Sequence, residues 1–176
     1  MDGVKTDGIR LNTGKSGGLD RIDRRILGAL ADDASLSYAA LGEIAGLSPP
    51  AVHDRVKRLK ARGVIQGTHA RLSGDAVGKP LLAFVHVDTT GWGKTTAVTA
   101  LSDLPELEEL HSATGDACLI LKVRVASTLA LEGFLARVYD VPGVTRTRTF
   151  VALSTHLERS VQAGVTSALE EGPFIK

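Results

Sequence analysis

From Leu19 onward the apolar positions first recur at helical spacing. Ile22, Ile26, Leu27 and Leu30 share one side of a predicted helix. Asp20 and Asp23 stand in its first turn, where the helix dipole favours acids, and Asp32-Asp33 closes it. A second helix is predicted over 37–45, with Ser37 as N-cap, Leu41, Ile44 and Ala45 inward, and Gly46 as its stop. Ser48 is then the N-cap of a third helix. Pro49 and Pro50 fill its opening positions, where a missing N–H costs little, and Gly63 stands just past its end at Arg62. On a helical wheel Val52, Val56 and Leu59 form a narrow apolar stripe flanked by Arg55, Lys60 and Arg62. Pro50, His53, Asp54, Lys57, Arg58 and Ala61 face the other way. Three short helices, a tight turn at Gly46-Leu47 and a basic third helix read as a helix-turn-helix. Residues 64–72 lead away in extended form.

The period then changes to two. Over 81–88, Leu81, Ala83, Val85 and Val87 alternate with Leu82, Phe84 and His86. A helix is predicted over 94–102, a strand over 107–114, a turn at Gly115-Asp116 and a strand over 117–125. Ser127 caps a helix running to Tyr139, Pro142-Gly143 breaks the chain, and 144–153 supply a last strand. The order β-α-β-β-α-β is that of a ferredoxin-like unit, so the fold class is α+β. Two helices cover one face of such a sheet. The other face carries Leu82, Phe84, His86 and Ile120, too apolar to be left wet, and self-association through that face is expected.

Composition adds bounds. The 176 residues are 43% hydrophobic and 23% charged, ordinary for a globular chain and unlike a disordered or fibrous one. No apolar run is long enough to span a membrane or to serve as a secretory signal, so a cytoplasmic protein is expected. Residues 1–18, with five glycines and few large apolar groups, are expected to be a flexible arm. The net charge of +1 hides an asymmetry: 13 Lys and Arg against 9 Asp and Glu over 1–79, and 8 against 11 over 80–176. Arg55, Lys57, Arg58, Lys60 and Arg62 crowd the third helix against one acid, Asp54.

That helix is the candidate for double-stranded DNA. Cations on one face neutralise phosphates and release counterions. The candidate contacts are Ser48, Pro49, Pro50, Ala51, His53, Asp54, Arg55, Lys57 and Arg58. Asp54 suits a cytosine amino group but repels phosphate; its other reading is an intrahelical pair with Arg58. Arg55, beside the apolar stripe, has the alternative of an internal pair. With 4% aromatics, single-strand stacking is not expected.

Enzymatic chemistry finds no support. Gly14-Lys15-Ser16 and Gly93-Lys94-Thr95 both lack the earlier glycine of a phosphate-binding loop. The five histidines lack metal-ligand spacing, and no nucleophile or dinucleotide signature occurs. No metal or cofactor is expected, and the chain is read as a non-enzyme.

Several segments together resemble the Lrp/AsnC family, the leucine-responsive or feast/famine regulators. They are Leu19-Asp20-Arg21-Ile22-Asp23, the run LSPPAVHDRVKRL from Leu47 to Leu59, Gly63-Val64-Ile65-Gln66-Gly67, Thr114-Gly115-Asp116, and Pro142-Gly143-Val144 with Thr147-Arg148-Thr149-Phe150-Val151. The resemblance spans roughly residues 19–159. It implies a winged helix-turn-helix over 19–66, a linking strand or hinge over 67–80, a ferredoxin-like effector-binding and dimerisation unit over 81–155, and a tail over 156–176. It also implies dimers, often assembled as tetramers of dimers, and an amino-acid effector held between sensor units near the Gly-Asp turn. The corresponding residues here are Thr114, Gly115, Asp116, Cys118, Thr147, Thr149 and Val151. The backbone at Thr114-Gly115 can receive a carboxylate, Asp116 an ammonium, and the two threonine hydroxyls add donors. One departure matters: the family pattern Gly-x-x-Asp ends here in Cys118, and a thiol is a poor partner for an ammonium. Two alternatives stand beside an effector-modulated regulator. One is an effector-blind regulator that organises DNA; the other is a small-molecule-binding module acting on a protein partner.

Overall fold

The computed structural model describes the backbone of residues 18–90 and 94–163, and the side chains of the same residues except 94–97. The arm up to residue 17, Trp92 and the tail from 164 lie outside the described residues. The described residues divide into two compact units, one of residues up to His69 together with 159–163, the other Ala70–Glu158.

The first unit holds α1 (Arg21–Asp32), α2 (Tyr38–Ala45) and α3 (Pro49–Ala61). Asp20 and Asp23 form a reciprocal capping box at the start of α1: Asp23 N–H donates to Asp20 Oδ1 at 2.7 Å, and Asp20 N–H to Asp23 Oδ2 at 3.4 Å. The Ser37 hydroxyl accepts from Ala40 N–H at the start of α2. Gly46, at φ +70°, ends that helix in the left-handed region. Gly42 is as necessary as Gly46, because a Cβ there would lie 2.5 Å from the Leu47 carbonyl oxygen. The turn between α2 and α3 therefore packs directly on α2. Ile26, Leu41, Ala45, Val52 and Val56 are buried together, with Ile22, Leu30, Leu36 and Ile65 around them.

Three expectations are corrected in this unit. Ile44 does not face inward; it is 48% exposed. In a helix of only two turns the buried stripe is set by Leu41 and Ala45, and Ile44 falls about 80° from its centre. Ser48 is the N-cap by position, yet its side chain makes no capping hydrogen bond. Pro50 at the second position of the helix has no N–H to donate. Finally, no strand follows α3: residues 64–72 are bends and irregular chain, so neither a wing nor a linking strand is present among the described residues. The Val64 and Ile65 amides turn back onto the Leu59 carbonyl, and Gly63 at φ +70° completes a Schellman-type stop with Lys60. A strand also needs a partner ladder, which this part of the chain does not contain.

The second unit is β1 (Leu81–Thr89), α4 (Lys94–Ser102), β2 (Leu107–Ser112), β3 (Leu119–Val125), α5 (Thr128–Tyr139) and β4 (Val144–Val151). The sheet order is β2-β3-β1-β4 with every neighbouring pair antiparallel. This is the ferredoxin-like arrangement. Ala83, Val85, Val87, Leu119, Leu121 and Val123 face Leu101, Leu131, Phe134 and Val138, so both helices cover one side. The strands are shorter than expected around residue 115. Ala113 N–H donates to the Cys118 carbonyl and Cys118 N–H to the Val87 carbonyl, leaving a looped connection over 113–118 with Gly115 at φ +103°.

Candidate nucleic-acid interface and effector site

Helix α3 presents its two faces as the spacing requires. Val52, Val56 and Leu59 are buried, while Pro49, Pro50, His53, Asp54, Lys57 and Arg58 are exposed together with Ser48; Ala51 is half-buried. Lys57 and Arg58 make no ion pair among the described residues. Asp54 lies beside the His53 ring, with Nδ1 to Oδ1 at 3.4 Å, and not beside Arg58. The His53 ring meets Tyr38 of α2 edge-on, centroids 5.3 Å apart. That contact fixes the ring at the exposed surface of the unit.

Arg55 is set apart from the other candidates. Its Nη1 donates to Asp20 at 2.6 Å and to Asp23 at 2.8 Å, tying α3 to the start of α1. This arginine chiefly positions the helix. Arg55 holds the Asp20 carboxyl below its usual 3.8, with the Asp23 amide helping, and the two acids raise the guanidinium in turn. The two prolines also change the start of α3. With no N–H on Pro49 or Pro50, the first amide able to meet a phosphate is that of Ala51.

In the second unit, Thr114, Gly115, Asp116 and Cys118 all lie in or at the end of the looped connection. Sequence reasoning missed its anchor: the Arg148 guanidinium donates to the Asp116 carbonyl, and its Nε is buried without a partner. The alternation Thr147-Arg148-Thr149, which puts a cation on the apolar side of the sheet, was the signal available. The threonines point the other way. Thr147 pairs with Val87 and Thr149 with Val85 on the helix-covered side, and the Thr147 hydroxyl donates to Tyr139 Oη at 2.9 Å. Val151, opposite Ala83, is exposed at the sheet edge. Among the described residues no hydrogen bond joins Thr147 or Thr149 to Asp116, and only Arg148 between them reaches its carbonyl. Cys118 is half-buried against the core, with Sγ 3.9 Å from the Thr89 carbonyl oxygen.

The uncovered sheet face is mixed. Phe84 is 38% and Phe150 55% exposed, Ile120 and His86 are half-buried, and the His86 and Phe150 rings lie 5.0 Å apart. Leu82 differs from its neighbours in being already buried within the chain, at 6% exposure; Ala152 N–H continues the β4 pairing onto its carbonyl. Toward β2 the face becomes ionic. Lys122 contacts Glu108, Glu109 and Glu158, and Arg124 contacts Glu108 and Glu158. Burial disfavours the Lys122 charge, but Glu158 and Glu108 outweigh it and raise the ammonium above its ordinary range. Lys122 in turn lowers Glu158. No group of three or more His, Cys, Asp or Glu suited to a metal occurs among the described residues, and no described helix is long and apolar enough to cross a membrane.

Comparison with known proteins adds an independent view. Residues 19–60 match the AsnC-type helix-turn-helix domain and residues 82–162 the Lrp/AsnC ligand binding domain. The HTH-type transcriptional regulator LrpA of Mycobacterium tuberculosis is 41% identical over 138 residues, covering 78% of this chain and 91% of that protein. The leucine-responsive regulatory protein of Escherichia coli is 38% identical over 140 residues, 77% of this chain and 85% of that one. Among solved structures, the feast or famine regulatory protein of M. tuberculosis complexed with L-methionine superposes with a TM-score of 0.75 at 39% identity, covering 80% of this chain and 96% of that one. With a helix-turn-helix, a ferredoxin-like unit and relatives of this similarity over most of its length, the chain belongs to the Lrp/AsnC family of transcriptional regulators.

Proposed function

We propose that this protein regulates transcription by binding double-stranded DNA through α3 and that a small amino acid tunes it through the second unit. The observation that carries the DNA reading is the exposed face of α3, where Lys57 and Arg58 stand unpaired among the described residues while Arg55 is held by α1. Lys57 and Arg58 neutralise phosphates; Pro50, Ala51, His53 and Asp54 approach base edges, with Asp54 suited to a cytosine amino group. The protein acts as an oligomer, a dimer or an assembly of dimers joined through the sheet face of Phe84 and Ile120, in the cytoplasm and without catalytic chemistry.

For the effector, the connection 113–118 offers backbone groups, the Asp116 carboxylate for an ammonium, and the Arg148 guanidinium held at the Asp116 carbonyl for a carboxylate. The methionine bound by the M. tuberculosis relative supports an α-amino acid as the class. Cys118, in place of the second carboxylate, favours a second reading in which the regulator binds DNA with no effector.

The test is fluorescence anisotropy with DNA from upstream of the protein's own gene against scrambled DNA, over a range of salt, with and without pooled amino acids. Replacing Lys57 and Arg58 by alanine is expected to lower the salt slope by about 2, since each phosphate contact contributes roughly 0.9, and to leave oligomerisation intact. An unaltered slope would remove α3 from the interface. Specific binding unmoved by the pool would select the effector-blind reading.

A further inference from the structure

The outer face of α1 carries charges that its own helix cannot neutralise. Arg21, Arg24 and Arg25 occupy the first turns and Asp32 the last position. That order opposes the helix dipole, which favours acids at the start and bases at the end. Side-chain spacing gives no relief either. Arg25 stands four residues beyond Arg21 and Gly28 four before Asp32; Asp20 stands four before Arg24, but its carboxylate is taken by Arg55 at 2.6 Å. Among the described residues none of these four charged groups makes an ion pair. They border a surface groove of about 510 Å³ that also includes Gly28 and the exposed Ile44 of α2. Gly28 sits in mid-helix and is half-buried; glycine there weakens a helix relative to alanine, and close approach of another group is one thing its missing side chain permits.

We infer that α1 pairs with α1 of a second copy of this chain, antiparallel, about a two-fold axis at Gly28. Positions 24 and 32 are equidistant from 28, so the axis sets Arg24 of each chain against the partner's Asp32, in an isologous contact. The charge order that is unfavourable in one helix becomes favourable in the pair, since opposed dipoles and opposed charges coincide. Gly28 admits the close crossing, and Ile44 gains a cover. A DNA backbone fits less well: a polyanion along the groove would meet Asp32 and Asp33 on the same rim.

The experiment uses the full chain carrying Gly28→Cys in a glutathione redox buffer, with the disulfide mapped to position 28 by mass spectrometry. A disulfide requires Cα atoms within about 7 Å, which only residues at the axis meet. At least tenfold more covalent dimer is expected than with Ala61→Cys on the exposed side of α3. Arg24→Asp should cut the yield at least fivefold, and Arg24→Asp combined with Asp32→Arg should restore it. Because a side chain at 28 adds bulk at the crossing, the same charge series is also read by sedimentation velocity on the otherwise unaltered chain. There Arg24→Asp should give a smaller species and the double exchange the original one. A yield at 28 no higher than at 61, with no response of the assembly to the charge series, overturns the pairing. So does an Arg24→Ala variant that assembles normally but binds DNA with a shallower salt slope, which would make these arginines phosphate contacts.

Discussion

Arg55 on α3 donates to Asp23 on α1 at 2.8 Å, and Asp23 is the residue whose second oxygen closes the capping box of that helix. The Asp23 side chain is 9% exposed and that of Arg55 21%. Two helices are thus locked by a carboxylate that also caps one of them.

Removing Arg55 leaves Asp23 nearly buried and without its cation. Arg55→Ala is expected to destabilise the helix-turn-helix unit by about 2 kcal/mol, between an exposed pair and a fully buried one. The salt slope of DNA binding should stay unchanged at temperatures where the variant is folded. Urea unfolding followed by circular dichroism reads the first effect and anisotropy the second. The pH dependence has a definite sign. The Asp20 carboxyl is held below 3.8 by Arg55, so its contribution is present above the unfolded value and is lost as pH falls through the folded one. Wild type and Arg55→Ala should therefore differ most above about pH 4 and converge in acid. A constant gap down through that range would mean that Arg55 stabilises by packing alone.

Much of this architecture is legible along the chain because its determinants are local. The bounds of α4, the stops at Gly46 and Gly63, the Ser127 cap and the alternation of β1 each depend on a residue type within a few positions of the feature. The exposed face of α3 is legible for the same reason, since a wheel needs only the helix itself. Partnerships at a distance are another matter. Arg55 meets acids 35 and 32 positions earlier, and only the packing of α3 on α1 brings them together. Arg148 reaches the Asp116 carbonyl across 32 positions through strand register. The segment 64–72 reads as extended by composition, yet a strand exists only when another backbone accepts its hydrogen bonds.

Cys118 stands where the resemblance to the family implies an Asp, and its place in the second unit is well defined. Its N–H and carbonyl are both used, by Val87 and Ala113, so a substituted side chain starts from a fixed backbone. Cys118→Asp should strengthen amino-acid binding about tenfold, the worth of one charge-assisted hydrogen bond to an ammonium. The Thr89 carbonyl oxygen near Sγ opposes a carboxylate, so a stability loss of about 1 kcal/mol should accompany the gain. Isothermal titration with L-methionine and with pooled amino acids measures the first, thermal unfolding the second. Cys118→Asn, polar but uncharged, should fail to reproduce the gain. If Asp and Asn variants bind alike, the ammonium is held elsewhere.

The uncovered sheet face can be tested at Phe84, which lies opposite Phe150 on β4 and Lys122 on β3. Phe84 is already 38% exposed, so Phe84→Glu should leave the single chain folded; Lys122 across the ladder is engaged by Glu108, Glu109 and Glu158 and adds little attraction. The same glutamate would be an obstacle to a second chain. Association would have to bury it with Lys122, and desolvating both charges costs more than their attraction returns unless the geometry is excellent. The expected result is a rise in the dissociation constant of at least a hundredfold, which is about 2.7 kcal/mol, with the circular dichroism spectrum unchanged. Sedimentation equilibrium across micromolar concentrations reads it directly. An assembly of unaltered size would mean that the chain associates through another surface and that Phe84 and Phe150 face water in the oligomer.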